Sequence, residues 1–301
     1  MDFFEAQARA KSRTNRLVIL FALAVLGTIA ASYVAAVLIV GQTGVREHSY
    51  YYSDEAPLFF WDPTIFTAVA ASVVAIVGLA SLYKWSQMRH GGSAVAELVG
   101  GRRVDPHTTN LHERRLLNVV EEMAIASGVP VPAVYVLDQE PAINAFAAGL
   151  TTSDAVVAVT RGTLEKLTRD ELQGVVAHEF SHILNGDMRL NVKLAAIVFG
   201  ILVIGLLGRG ILEGLGRGRV RSSGGGKKGG GLAAILAIGV ALLIIGYVGY
   251  FFGRLIQAAV SRQREFLADA SAVQFTRNPG GISGALKKIG GYALGSTLTA
   301  P

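Results

Sequence analysis

The sequence predicts a mainly helical fold with a small β-sheet and about four hydrophobic helices, each crossing a membrane or forming part of a hairpin within it. The composition is strongly apolar, since 51% of the 301 residues are hydrophobic and only 17% are charged, whereas soluble domains have about a quarter charged residues. The mean hydropathy is +0.44. Four apolar runs alternate with polar segments, and one polar segment contains two short β-branched runs. This pattern favours membrane helices combined with a domain outside the bilayer.

The first two apolar runs predict an N-terminal membrane hairpin within residues 1–86. Its helices are expected at about residues 17–40 and 64–83, and each is long enough to cross a hydrocarbon core of about 30 Å. Lysine and arginine residues precede the first helix and follow the second. The positive-inside rule therefore places the N-terminus and the chain after the hairpin in the cytoplasm. The aromatic-rich loop from Tyr50 to Trp61 is then expected on the outer side.

Residues 87–191 have a mixed, polar composition and predict a cytoplasmic domain. The segment Gly91-Gly92-Ser93 at its start is interpreted as a flexible entry. Apolar residues at helical spacing predict a helix near Asn110 to Ser127. Two β-branched runs bounded by turn residues, Ala133 to Leu137 and Ala155 to Thr160, predict strands of a small sheet.

Local signals place the next helix between Arg169 and Gly186. Thr168 and Glu171 have the spacing of a capping box, in which each side chain bonds the backbone of the other residue. Gly186 is the residue type that most often ends a helix in the left-handed conformation.

This helix contains the sequence His178-Glu179-Phe180-Ser181-His182. Histidines four residues apart project from one face of a helix, so both imidazoles can bind a single zinc ion. Glu179 lies beside the metal, where it can take a proton from zinc-bound water and deliver it to the leaving amine. The alternative is a pair of surface histidines on an amphipathic helix, but small or apolar residues precede the motif and favour a buried metal-binding helix.

A catalytic zinc site needs a third protein ligand and one open position for water. The chain has no cysteine, and no third histidine follows shortly downstream, so the third ligand must be a carboxylate. Glu265 is the best candidate, on a helix expected to continue out of the last apolar run. Asp269 lies four residues later on the same face and can orient a ligand imidazole. The alternative is a surface helix in which Glu265 forms salt bridges with Arg262 and Arg264.

Two later apolar runs, Leu194 to Leu207 and Leu232 to Phe252, predict a second hydrophobic hairpin within residues 192–256. Only the second run has a comfortable spanning length. A basic, Gly-rich loop at 209–231 separates them, and it would lie outside, against the positive-inside rule, if both runs crossed. Whether the pair crosses fully or is tilted and partly re-entrant stays open. The loop fits no phosphate-binding pattern and is interpreted as a linker.

The formal charge of +6 does not predict a nucleic-acid partner. The basic residues cluster beside the apolar runs, where anionic lipid and insertion topology account for them, and no nucleic-acid module is recognisable. The expected partner of this surface is the lipid bilayer.

With these motifs the chain resembles the HtpX-like heat-shock zinc metalloproteases of bacterial inner membranes and, more distantly, the CAAX prenyl proteases. The matching segments are Asn144 to Gly149, His178 to Asp187, Glu265 to Asp269 and Asn278 to Ile289.

The resemblance implies a gluzincin-type metalloprotease domain with one zinc ion bound by His178, His182 and Glu265. It implies catalysis by Glu179 and a stress-response role in degrading misfolded membrane proteins. It also implies that Asn144 lies at an edge strand where an extended substrate pairs, whereas the residues alone identify Asn144 as a turn residue.

The family continues beyond the equivalent of Pro301, so residues 257–301 are expected to hold the third-ligand helix and the start of a truncated C-terminal part. No oxyanion-stabilising residue is identified. Two other functions remain open: a processing peptidase for a narrow, lipid-modified substrate and a non-catalytic zinc-binding membrane adaptor. Glu179 argues against the adaptor, because a structural zinc site needs no general base.

Overall fold

The computed structural model describes residues 3–42, 61–89, 91–217 and 229–291. The chain divides into two compact units. We call residues 1–16, 87–193 and 259–301 the polar unit, and residues 17–86 and 194–258 the apolar unit. In chain order the elements are α1 (Phe3–Gln42), α2 (Pro63–Met88), α3 (Gly92–Leu98), β1 (Arg102–Arg103), α4 (Leu111–Ser127), β2 (Ala133–Leu137), β3 (Ala145–Ala148), β4 (Val156–Thr160), α5 (Arg161–Lys166), α6 (Arg169–Asn185), α7 (Asp187–Arg217), α8 (Gly229–Thr276) and α9 (Pro279–Gly291).

Four helices are long and apolar enough to cross a membrane by length and composition, which confirms the four expected hydrophobic helices. The candidate spans are Ala22–Val40, Pro63–Met88, Asp187–Gly216 and Gly231–Thr276. The expectation that only the later run, Leu232 to Phe252, has a comfortable spanning length is wrong, because α7 continues on both sides of the run Leu194 to Leu207. The basic loop is accordingly shorter than predicted, since α7 reaches Arg217. The remainder of that loop, 218–228, and most of the aromatic loop, 43–60, lie outside the described residues.

The apolar unit packs its helices through aliphatic side chains and glycines. Val73 and Val77 of α2 form a buried cluster with Ile201 and Ile204 of α7. Next to this cluster α7 and α8 approach so closely that a Cβ atom on Gly246 would lie 2.1 Å from the backbone nitrogen of Gly205. Small residues permit such close approach of membrane helices.

The polar unit contains a four-stranded sheet in the order β1-β2-β4-β3. Strands β2 and β4 are parallel, and β1 and β3 pair antiparallel with β2 and β4 respectively. The two predicted strands are confirmed. The residue pattern did not predict strand β3, because its sequence, Ala-Phe-Ala-Ala, has no β-branched residue. Only the family resemblance implied an edge strand beside Asn144.

Helix α4 is confirmed within one residue of its predicted bounds. The side chain of Asn110 accepts hydrogen bonds from the backbone of His112 and Glu113, and Gly128 ends the helix with a φ of 71°. Its apolar face packs in the main core of the unit with β2, β4 and α6.

The flexible entry predicted at Gly91-Gly92-Ser93 is wrong, because Gly92 is buried and begins α3. A Cβ atom on Gly92 would lie 2.5 Å from the carbonyl oxygen of Ala148. The glycine therefore allows α3 to pack closely against the end of β3 and does not serve as a hinge.

Candidate metal centre

Helix α6 positions the first two candidate ligands as its local sequence predicts. The capping box is present, with Thr168 and Glu171 each bonding the other's backbone, and Gly186 ends the helix with a φ of 65°. Between these ends, His178 and His182 lie on one face with ring centroids 4.9 Å apart. Both imidazoles are mostly buried, with side-chain exposures of 17% and 15%.

Helix α8 brings Glu265 to the two histidines. The Nε2 atom of His178 lies 3.2 Å from the Nε2 atom of His182 and 3.2 Å from Oε2 of Glu265. The distance from His182 Nε2 to the same carboxylate oxygen is 3.9 Å. Three potential ligand atoms from two separate parts of the chain thus converge on one point, as predicted for Glu265.

These distances fit a tetrahedral zinc site. Two ligand atoms that are each about 2.1 Å from a tetrahedral zinc ion are about 3.4 Å apart, and the three observed separations lie on either side of that value. Within the described residues, His178, His182 and Glu265 form a group able to hold one metal ion. Two nitrogens and one oxygen form a donor set typical of zinc. The Glu265 side chain is 54% exposed, which leaves the site open on one side.

Each histidine has a carboxylate at its second ring nitrogen. Oδ1 of Asp269 lies 2.9 Å from Nδ1 of His178, so the structure brings Asp269 to a ligand imidazole as predicted. Oδ2 of Asp187 lies 2.8 Å from Nδ1 of His182. Sequence reasoning included Asp187 only as part of a motif and assigned it no role. The available signal was an acidic residue immediately after the glycine that ends the ligand helix.

The two histidines differ in their affinity for protons. Burial lowers the pKa of His178, but the carboxylates of Asp269 and Glu265 outweigh this effect and raise it to about 10. Burial lowers the pKa of His182. A histidine must be neutral to bind metal, so zinc binding at His178 is expected to release a proton.

Glu179 is buried at 9% exposure on the same helix. Its negative charge is close enough to raise the pKa of His178. Glu179 is therefore a buried, charged neighbour of the His178 imidazole and is not part of the group of potential ligands.

Asn144 immediately precedes β3, the last strand of the sheet among the described residues. Its backbone nitrogen donates to the hydroxyls of Thr160 and Thr163, at 3.0 and 2.9 Å. Its carbonyl oxygen accepts from the backbone nitrogen of Thr160 at 3.0 Å. These bonds fix the start of β3, which contacts the ligand helix α6.

A hollow of about 440 Å³ opens beside Asp269. It is lined by the apolar side chains of Val273, Ile282 and Leu286 and by Asp269, Ser283 and Lys287. Asp269, four residues after Glu265 on α8, is therefore at the wall of this hollow.

A helix with two histidine ligands followed by a carboxylate ligand from a later helix defines the class of zinc metalloproteases. The sequence comparisons agree with this class. Residues 110–297 match the model of peptidase family M48. The chain belongs to peptidase family M48.

Individual relatives are similar over most of the chain. The chain is 45% identical over 174 residues to a protease HtpX homolog of Dictyoglomus turgidum, covering 58% of this chain and 53% of that protein. It is 40% identical to a protease HtpX homolog of Caldanaerobacter subterraneus subsp. tengcongensis over 70% of this chain and 67% of the relative. It is 38% identical to a protease HtpX homolog of Streptococcus pneumoniae over 72% of this chain and 70% of the relative. The aligned part of the chain thus spans between 53% and 70% of the length of these relatives.

These findings confirm the predicted family, fold class and metal. The chain is a multi-pass membrane protein of peptidase family M48, and its His178, His182 and Glu265 form a group able to hold the zinc ion.

Proposed function

We propose that the chain is an endopeptidase that hydrolyses misfolded membrane proteins at the cytoplasmic face of a bacterial inner membrane. The observation on which this rests is the convergence of three ligand atoms within 3.2 to 3.9 Å of one another, with the buried Glu179 beside them. A structural zinc site requires no such carboxylate. We also propose that the chain is organised in four segments. These are an N-terminal hairpin at 1–86, a cytoplasmic domain at 87–191, a second hairpin at 192–256 and the third-ligand segment at 257–301.

Each side chain has one role in the proposed reaction. When bound, zinc acts as a Lewis acid that polarises the scissile carbonyl and acidifies water. Glu179 takes the proton from the attacking water and passes it to the leaving amine as the peptide bond breaks. Asp269 holds the His178 ring so that its other nitrogen faces the metal.

The substrate is proposed to bind in an extended conformation along β3. An edge strand offers unpaired backbone groups to which a peptide adds as a further strand, independently of its sequence. Asn144 fixes the start of this strand through its bonds to Thr160 and Thr163. Backbone recognition suits a protease whose substrates are unfolded segments rather than one defined sequence.

The cytoplasmic placement rests on the distribution of charge along the sequence. Lys84, Arg89, Arg102 and Arg103 follow the second apolar run, residues 64–83, which by the positive-inside rule leaves the next segment in the cytoplasm. In this orientation the protease meets polypeptide segments at the inner surface of the bilayer.

The test is proteolysis of casein and of an unfolded membrane protein by the detergent-purified full chain. Cleavage is expected to stop with a chelator and to return with zinc. Glu179→Gln is expected to bind the same amount of zinc and to cleave at least about 100-fold more slowly, the usual contribution of a general base. Glu165→Gln is the matched control, because Glu165 is exposed on α5 and its loss is expected to leave the rate unchanged.

Three results would contradict the proposal. Undiminished cleavage by Glu179→Gln would show that Glu179 is not the general base. Zinc binding without any cleavage by the unaltered chain would indicate the membrane adaptor. Cleavage of a lipid-modified peptide with casein left intact would indicate the processing peptidase.

A further inference from the structure

The two histidine ligands are supported by carboxylates in very different surroundings. Asp269, at His178, has a side-chain exposure of 46%. Asp187, at His182, has a side-chain exposure of 4%. A buried carboxylate is costly unless a positive charge and hydrogen bonds compensate it, so the surroundings of Asp187 show what it does.

The compensating charge is Arg264. Its guanidinium pairs with Oδ1 of Asp187, while Oδ2 of the same carboxylate contacts His182. The Arg264 side chain is itself only 8% exposed. This finding excludes the alternative in which Arg264 belongs to a surface salt-bridge helix.

Arg264 also contacts the end of the ligand helix. Its guanidinium donates a hydrogen bond of 2.9 Å to the carbonyl oxygen of Asn185. Asn185 is the last residue of α6, where carbonyl groups lack partners within the helix and the helix dipole favours a cation. One guanidinium therefore binds both the end of α6 and the carboxylate that contacts His182.

The connectivity links the two halves of the metal site. Arg264 immediately precedes the third ligand, Glu265, on α8. Asp187 follows the turn that ends the helix of the first two ligands. The ion pair thus joins the segment that provides His182 to the segment that provides Glu265.

We propose that Asp187 and Arg264 are positioning residues that set the orientation of His182 and its distance from Glu265. By accepting a hydrogen bond from the Nδ1–H group of His182, Asp187 selects the tautomer whose Nε2 lone pair faces the metal. Arg264 fixes that carboxylate in place and, through the backbone, fixes Glu265 against α6. This inference rests on the zinc site of the proposed function but does not require that the chain cleave peptides.

The chain offers a matched control for a purely structural role. Glu113 is a buried carboxylate at 7% exposure, paired with Arg102 at 2.7 Å. It contacts neither a zinc ligand nor Asp187 among the described residues. Neutralising Glu113 removes the same kind of ion pair without touching the metal site.

The test measures zinc affinity by competition with a chelating dye, and the visible absorption of the cobalt-substituted protein, for full-length Asp187→Asn, Arg264→Lys and Glu113→Gln. Asp187→Asn is expected to lower zinc affinity by about 10- to 100-fold, as loss of a carboxylate behind a ligand histidine does, and to change the cobalt spectrum. Arg264→Lys keeps the charge but not the forked geometry, so we expect a smaller loss. Glu113→Gln is expected to lower the melting temperature and to leave both zinc affinity and spectrum unchanged.

The outcomes separate this inference from the proposed function. Zinc affinity of Asp187→Asn within about twofold of the unaltered chain would overturn it, as would an equal loss in Glu113→Gln. Should Asp187→Asn not fold, an unchanged zinc affinity in Arg264→Lys would overturn it instead. Reduced affinity in these two variants with no proteolysis by the unaltered chain would support the positioning role while refuting the proposed protease.

Discussion

The polar and apolar units are stabilised by different kinds of contact. In the polar unit, capped helices pack on a mixed sheet, and buried charges such as Glu113 and Asp187 have cationic partners. In the apolar unit, the described contacts are mainly between aliphatic side chains and glycines, as where Gly205 meets Gly246. Directional polar contacts fix the geometry of a site to a fraction of an ångström, whereas close apolar packing fixes how helices approach each other.

In both units, a glycine allows two helices to approach so closely that their backbones are in contact. In the polar unit a Cβ atom on Gly174 of α6 would lie 2.5 Å from the backbone nitrogen of Ile282 in α9. Helix α9 therefore rests on the backbone of the ligand helix itself. We therefore expect substitution of a closely packed glycine to lower the stability of the protein in both units. Removal of polar contacts is expected to lower it in the polar unit.

The largest effect is expected from Gly246→Leu in the apolar unit. A leucine there would force α7 and α8 apart, because the Cβ position already overlaps the backbone of Gly205. Overpacking costs about 1–3 kcal/mol or more, so a lower melting temperature and a smaller monodisperse fraction in detergent are expected. Gly78→Leu is the control, since a Cβ on Gly78 of α2 meets nothing within 4 Å. Equal behaviour of the two variants would contradict glycine-mediated packing.

Gly174→Ala tests glycine-mediated helix packing in the polar unit. The added methyl group would displace α9 from the ligand helix, at a cost of about 1–3 kcal/mol, which thermal unfolding will measure. Gly290→Ala on α9 is the control, because its Cβ position is open and alanine favours the helix. A Gly174→Ala protein as stable as Gly290→Ala would show that the close contact is not required.

A smaller, pH-dependent effect is expected from Lys288→Met. Burial raises the pKa of Glu171, but hydrogen bonds from Lys288 and from Thr168 outweigh it, so the pKa of Glu171 is lower than its ordinary value. A carboxylate with a lowered pKa stabilises the folded state above its ordinary pKa of 4.5, and this contribution is lost as the pH falls further. Lys288→Met should therefore cost about 1 kcal/mol at neutral pH and progressively less below pH 4.5.

Melting temperatures measured across this pH range will check the prediction. Lys287→Met is the control, because Lys287 has no resolved contact with Glu171 in the described structure. A stability difference between Lys288→Met and the unaltered chain that stays constant down to acid pH would contradict the role assigned to the Glu171–Lys288 pair.

Much of the polar unit was predictable because its signals are local. The capping box at Thr168, the glycine at 186 and the four-residue spacing of His178 and His182 are all contained in one short segment. The third ligand, Glu265, required a chemical argument for a carboxylate and the family resemblance, because it lies far away in the sequence.

The features that were missed depend on contacts that the sequence does not reveal. The length of α7 was underestimated because Arg209 and Glu213 interrupt the apolar run, yet they form an ion pair one helical turn apart within the helix. Strand β3 forms by pairing with β4 and has no β-branched residue that would signal a strand. The ion pair of Asp187 with Arg264 could not be read from a sequence that gives no indication of burial.

The central claim is that two distant helices provide one zinc site, and zinc binding by Glu265→Gln tests it most directly. The unaltered chain is expected to bind one zinc ion, and Glu165→Gln to match it. Glu265→Gln is expected to bind zinc at least about 100-fold more weakly, because a charged ligand of a three-ligand site is lost. Zinc affinity in Glu265→Gln equal to that of the unaltered chain would show that the third ligand lies elsewhere and would contradict the account.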